Sequence, residues 1–231
     1  MSLRSLFRKF CYTANTIRYR VEWPRIEEAF QKAGAFDTLF DAGSGSGEFA
    51  RRVLSAGLCK RVIALEYDKS NFATLQKNLG REKGTQLING SLLEVPLPDG
   101  NVDAVLCTQV IEHITEHEKA AAEICRVLKP GGYAVITVPR PPEPFSTDDH
   151  KREGYLEEEL SALFAPFGME PIWEDWFLTR GTTDRMLKAW KFPLGGKMVP
   201  VSWVDRESHL TREQRRLGTP YGLLMLFRKR Q

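Results

Sequence analysis

Between Thr38 and Pro139 the chain alternates short β-rich runs with segments of helical periodicity, and this alternation restricts the fold more than any other feature. The runs are TLFDAG (38–43), RVIALE (61–66), TQLING (85–90), VDAVLCT (102–108) and YAVITVP (133–139). Asp68 is placed to cap a helix that carries Phe72, Leu75 and Leu79 on one face and stops at Gly80. Thr115, with Glu118 three residues on, makes a capping-box pattern ahead of EKAAAEICRVL, and Lys129-Pro130-Gly131-Gly132 ends that helix. Leu156, Leu160, Leu163 and Phe164 form a further apolar stripe. Strands separated by helices pair in parallel, and the helices cover both faces of the sheet. The expected class is therefore α/β, and 231 residues suffice for one domain with a full core.

FDAGSGSGEF (40–49) follows the first run. Three glycines in five residues cost backbone entropy, so the loop serves either a tight strand-to-helix turn or a close ligand. In open α/β sheets ligands bind outside the carboxyl ends of the strands, where the order reverses. The glycines end the first strand and Glu66 ends the second, so one ligand can touch both. In the G-x-G-x-x-G fingerprint Gly43 and Gly45 fit, but the third glycine position is Glu48, whose carboxylate would repel a pyrophosphate. A Gly-Lys-Ser/Thr phosphate loop is missing. The loop suits a ligand without phosphates, which disfavours a nicotinamide-dependent oxidoreductase.

Four segments in order, DAGSGSGEF, VIALEYD, NGSLLEVPLPDGNVDAVLCTQVIEHI and EICRVLKPGGYAVITVP, carry a resemblance. The chain resembles the class I S-adenosylmethionine-dependent methyltransferases, in the broad group that includes the ubiquinone and menaquinone biosynthesis enzymes. The resemblance runs from Leu39 to Val138 and continues weakly to Ile172. It implies a Rossmann-like, seven-stranded, mostly parallel sheet with an antiparallel last strand. It also implies S-adenosyl-L-methionine as cofactor, with backbone at Gly43, Ser44 and Gly45 bordering the methionine part and Asp41 holding its ammonium, directly or through water. Glu66 would accept the ribose hydroxyls, with Tyr67 beside the adenine. Where the family often has an acidic residue for the adenine amino group this chain has Ser91, next to Leu92. Gln109 would lie by the methionine end.

Methyl transfer requires alignment of nucleophile, methyl and sulfur, and a base only if the nucleophile arrives protonated. Two histidines are candidates. His113, in VIEHI, sits where the resembling family usually has histidine, with a structural hydrogen bond as the competing role. His150 follows the run from Pro139 to Pro144, in a loop expected to rim the site, and is the better substrate-facing base. Asp148, Asp149 and His150 are adjacent in one loop, which is poor evidence for a metal, and no metal site is assigned. His117 and His209 read as helix-surface residues.

Parts outside the resemblance should select the acceptor, a small molecule or a lipid-like compound. Residues 1–30 form an amino-terminal arm and 31–231 the methyltransferase domain, with an insertion at about 179–220 between a sixth strand (171–178) and a seventh (221–228). The insertion, with Trp190, Phe192, Trp203 and the Pro193-Leu194-Gly195-Gly196 turn, is either a lid over the acceptor or a satellite core. The arm holds Arg4, Arg8, Lys9, Arg18 and Arg20 with no acid up to residue 21, interleaved with apolar side chains. It suits peripheral contact with a membrane surface or an acidic ligand, or else a helix laid on the domain. A balance of 33 basic and 30 acidic residues gives +3, which is no nucleic-acid signature. Four cysteines without metal spacing, and no leader segment, predict a cytoplasmic protein. A non-catalytic cofactor-binding or membrane-associated scaffold stays open as the other reading. Nothing in the sequence separates O, N or C acceptors or sets the oligomeric state.

Overall fold

The computed structural model of the chain describes residues 11–142, 150–190 and 198–231. In chain order the elements are β1 (Cys11–Thr13), α1 (Ala14–Val21), α2 (Trp23–Ala33), β2 (Thr38–Ala42), α3 (Glu48–Ser55), β3 (Arg61–Glu66), α4 (Lys69–Leu79), β4 (Thr85–Asn89) and β5 (Val102–Thr108). A 3₁₀ turn (Ile111–His113) leads to α5 (His117–Val127) and β6 (Leu128–Pro139). Then come α6 (Glu157–Phe164), β7 (Met169–Thr179), α7 (Arg180–Trp190), β8 (Met198–Pro200), α8 (Val201–Ser208), α9 (Arg212–Leu217) and β9 (Pro220–Lys229).

Seven strands form one sheet in the order β4-β3-β2-β5-β6-β9-β7. β9 runs antiparallel to both of its neighbours, and the other pairs are parallel. This is the parallel α/β sheet expected from the alternation, in the Rossmann-like form that the resemblance implies. β2 is buried along its whole length and β3 everywhere but Arg61, as central strands covered on both faces must be. One core layer holds Phe40, Val105, Ile124 and Phe164, and the other holds Leu39, Val62, Leu75 and Leu106. Asp68 caps α4 as expected, its Oδ1 accepting from the Ser70 and Asn71 N–H groups at 3.0 and 2.8 Å.

Three local expectations need correction. Thr115 does not cap α5; the N-cap is Glu116, with no side-chain hydrogen bond. The Lys129–Gly132 segment follows the end of α5 as expected, but β6 starts there and not at Tyr133, because the helix gives way directly to extended backbone at Leu128. A Cβ on Gly132 would meet the Asp103 carbonyl oxygen at 2.8 Å, so the strand passes too close to β5 for any side chain there. Leu156 does not join the stripe of α6; it is the exposed N-cap, while Leu160, Leu163 and Phe164 are buried.

The arm and the insertion meet. β1 pairs antiparallel with β8, Cys11 opposite Pro200 and Thr13 opposite Met198. Ile17 and Val21 of α1 are fully buried in a core that also takes Met186, Val199 and Val204 from the insertion. That part of the arm is a helix laid on the domain; residues 1–10 lie outside the described residues, as do Phe192 and the Pro193–Gly196 turn. Nothing is described of the Trp190 side chain, and Trp203 is partly buried against this core. Two buried carboxylates fasten the insertion at its base. Glu207 of α8 accepts from Thr179 N–H (3.1 Å), Thr179 Oγ1 (2.7 Å) and Thr182 Oγ1 (2.5 Å). Asp175 of β7 receives both Nε (3.0 Å) and Nη2 (2.5 Å) of Arg215 on α9.

Candidate active site

The glycine loop folds over the end of β3: Gly43 N–H and Ser44 N–H both donate to the Leu65 carbonyl, at 3.0 and 2.8 Å. Its glycines answer different demands. A Cβ on Gly43 would lie 2.4 Å from Val110, and one on Gly47 2.6 Å from Leu75, so both are glycine for packing. A Cβ on Gly45 would meet nothing within 4 Å, yet its φ of +57° still favours glycine. Gly45 is the one that faces open space.

Gly45 N–H donates to Glu66 Oε2 and Asp68 N–H to Oε1, both at 2.8 Å. These bonds fix the carboxylate at the end of β3, and each oxygen keeps a second acceptor site. Above it opens a cavity of about 720 Å³, lined by Gly43, Ser44, Gly45, Glu66, Tyr67, Ser91, Leu92 and Gln109. Eight of the nine residues assigned to the cofactor from the sequence thus converge on one cavity, at the carboxyl ends of β2, β3, β4 and β5. Tyr67 stands at the rim, 77 % exposed. Ser91 spends its hydroxyl as acceptor for Leu93 N–H at 3.1 Å. Gln109 takes a left-handed conformation, φ +54°, which turns the chain out of β5.

Asp41, the ninth, lies behind the loop. It is buried, receives the Ser44 hydroxyl at 2.6 Å and does not line the cavity. Burial pushes its carboxyl up to about 7; the Ser44 hydrogen bond opposes this and the nearby Glu66 charge adds to it.

A smaller cavity of about 260 Å³ adjoins the first and shares Arg18, Gln109 and His113 with it. Its other walls include Glu22, Glu112, His150, Phe177, Met186 and Tyr221. The two candidate histidines come together here, with ring centroids 4.5 Å apart and planes at 77°. Lys151 N–H donates to the Glu112 carbonyl at 2.9 Å, and Arg152 Nη2 to that of Ile114 at 3.1 Å, clamping the loop after β6 onto the 3₁₀ turn. Asp148 and Asp149 lie outside the described residues. His117 is not a plain surface residue: its Nδ1 is 2.8 Å from Tyr155 Oη, and burial followed by the Arg152 charge lowers its pKa. His209, at the end of α8, is exposed.

Sequence reasoning missed four residues of this region. Arg18 and Tyr19 reach the larger cavity from α1. Arg18 Nε donates to Glu22 Oε2 at 3.0 Å, and the Thr137 hydroxyl donates to Glu22 Oε1 at 2.6 Å. Burial works against the Arg18 charge, but Glu22 outweighs it and raises the pKa. Glu112 is fully buried beside His113. The signal available was a carboxylate set in apolar surroundings in VIEHI. A cleft of about 510 Å³ at the opposite ends of the strands, around Lys60, Asp103 and Lys129, lies away from all these groups.

Residues 40–136 match the family of methyltransferase domains. A probable S-adenosylmethionine-dependent methyltransferase of Mycolicibacterium smegmatis is 38 % identical over 122 residues, covering 53 % of this chain and 44 % of that protein. The chain spans less than half the length of the first curated relatives it matches. Among solved structures, a putative methyltransferase of Bacillus halodurans superposes with a TM-score of 0.62 at 17 % identity, covering 89 % of this chain and 98 % of that one. The N-methyltransferase NodS of Bradyrhizobium japonicum, in complex with S-adenosyl-L-homocysteine, gives 0.60 at 14 % identity, covering 90 % and 85 %. At such identities the two structures bear on the fold alone.

Proposed function

We propose that this chain, which carries a class I S-adenosylmethionine-dependent methyltransferase domain, transfers a methyl group to a small-molecule or lipid-like acceptor held in the smaller cavity. One observation carries this reading. A buried carboxylate, anchored by the backbone N–H of an open glycine, borders a cavity that runs on into a second one with two histidines. The cofactor, when bound, supplies a methyl group already activated by a sulfonium.

The chain's own residues bind, orient and exclude water. Glu66 has acceptor sites to spare for two ribose hydroxyls. The bare edge at Gly45 admits the amino-acid part, and Asp41 lends negative potential there through Ser44. Leu92 and the Tyr67 ring offer flat apolar contact to a base. Phe177, Leu178 and Met186 wall the smaller cavity, an arrangement suited to an apolar acceptor and to keeping water from the reaction. His113 and His150 face the acceptor's reacting end, where an imidazole can hold or remove its proton. No helix among the described residues is long and apolar enough to cross a membrane. Membrane contact, if the acceptor is a lipid, falls to the basic residues of the arm.

The test has two steps. Titration calorimetry with S-adenosylhomocysteine should show one site per chain, and failure to bind overturns the reading. Purified protein with methyl-labelled S-adenosylmethionine and a cell extract should then label the organic-soluble or small-molecule fraction. Label confined to nucleic acid or protein would remove the acceptor class proposed here.

A further inference from the structure

We propose that Glu112, His113 and His150 form a binding site for a first-row divalent cation where the smaller cavity meets the larger. One ligand atom from each residue can be chosen so that all three lie within 4.8 Å of one another. His113 Nε2 is 4.0 Å from Glu112 Oε1, and the His113 and His150 rings stand edge to face. A tetrahedral ion with ligands at about 2.0–2.1 Å places its donor atoms roughly 3.3 Å apart. Closing the cluster therefore asks for shifts of about an ångström, which partly exposed imidazole rings achieve by small rotations.

Three features favour an ion over a chance gathering. The ligands come from two separate segments that backbone hydrogen bonds clamp together, Lys151 N–H on the Glu112 carbonyl being the nearest. All three line the cavity, Glu112 fully buried and the two histidines partly exposed, so the protein fills one side and leaves the other open. Arg18, the cation that shares the cavity, gives its hydrogen bond to Glu22, and Glu112 feels it only as a weaker neighbouring charge. Two imidazoles and one carboxylate select zinc, cobalt, iron or manganese over magnesium, which takes oxygen ligands. Three protein ligands with open positions is the pattern of a site that also takes a substrate atom.

The cation site stands on this geometry alone; its use rests on the methyl-transfer reading. Given that reading, the acceptor class narrows to compounds that offer a hydroxyl or phenolic oxygen. A bound divalent ion lowers the pKa of a coordinated oxygen by several units, so the acceptor's O–H would give up its proton to water at the open mouth of the cavity as the acceptor enters. The oxygen lone pair would form the new C–O bond as the S–CH₃ bond breaks, leaving a neutral thioether. With an ion bound the two imidazoles would act as its ligands; without one they keep the proton-handling role proposed above.

The experiment titrates chelator-stripped protein with Co²⁺ alone and reads the visible absorption of the bound ion. One equivalent should bind with the intense band of a low-coordinate site, zinc should displace it, and magnesium should not. His113→Ala and His150→Ala should each weaken Co²⁺ at least about tenfold, the scale on which even supporting groups of metal sites act. S-adenosylhomocysteine affinity of His150→Ala should stay unchanged. Glu112→Gln risks the fold, which is why the more exposed histidines carry the test. Absence of the band, or binding unchanged in both histidine variants, overturns the site. Cobalt binding without S-adenosylhomocysteine binding would instead defeat the methyl-transfer reading and leave the cation site standing.

Discussion

Asp41→Asn tests whether the site stores a cost in the empty protein. Asp41 is 1 % exposed and its carboxyl is pushed up to about 7, from an ordinary 3.8. The folded state therefore holds a proton on Asp41 that the unfolded chain has already released. Stability carries no penalty from this group below about pH 4, declines as the pH rises from there to about 7, and then levels off. At 1.36 kcal/mol per pKa unit, the full penalty above the folded pKa is about 4 kcal/mol. Between pH 5 and pH 8 the loss is about 2 to 3 kcal/mol. Asparagine keeps an oxygen to accept the Ser44 hydroxyl but has no charge to bury, so its stability should lack this slope. Urea unfolding of both proteins at the two pH values measures the difference. Wild type should fall by about 2 to 3 kcal/mol more than the variant, and equal declines would refute the argument. The variant should also bind S-adenosylhomocysteine at least about tenfold more weakly at pH 8, because the charge that suits an ammonium group is gone.

Four further outcomes are expected. Glu66→Ala should weaken S-adenosylhomocysteine by about 2 to 3 kcal/mol in calorimetry, the scale for hydrogen bonds to a charged group, and equal affinities would remove Glu66 from the site. Gly45→Val should still fold, since a Cβ there meets nothing within 4 Å, but should lose cofactor binding; a folded variant that binds normally would leave the glycine to the turn alone. His150→Ala should lower turnover about a hundredfold or more with cofactor affinity unchanged, read by separate rate and binding assays. Glu207→Ala strands the Thr179 amide and two threonine hydroxyls, and should lower stability by about 3 kcal/mol in thermal or urea unfolding with or without ligand.

The half of the molecule proposed to hold the cofactor was legible because its signals are local. β2 and β3 read as short, mostly apolar runs since both of their faces are covered, and the glycine loop and Glu66 sit at predictable strand ends. Even there, the reason for each glycine was hidden: Gly43 and Gly47 answer to Val110, Leu75 and Leu79, side chains contributed by other elements. The acceptor half was less readable because its contacts span the chain. Glu22 looks like any helix-surface glutamate until β6 brings Thr137 onto it, 115 residues later. Arg18 looks like one more charge on a basic arm until α1 lies across the cavity. The Thr115 pattern failed because α5 begins one residue later than its cap would place it, and Lys129–Gly132 misled because a helix stop and a strand start share the same residues. His113 and His150 were both visible, but their meeting depends on a loop clamped by main-chain bonds that leave no mark in residue type.

The pairing of β1 with β8 has a consequence for the order of events in synthesis. The strands that build the larger cavity, β2 to β5, follow one another along the chain and pair among themselves, so they can assemble before the rest of the sheet is made. The acceptor wall cannot. Its strand β1 precedes all of these, and β8, the partner of β1, follows only after β7 and α7 have been made. Until then α1 has no seat for Ile17 and Val21, and the cleft that takes the cofactor stands open on its acceptor side. Closing the acceptor wall therefore waits for β8, well after the strands that carry the glycine loop and Glu66 have been made.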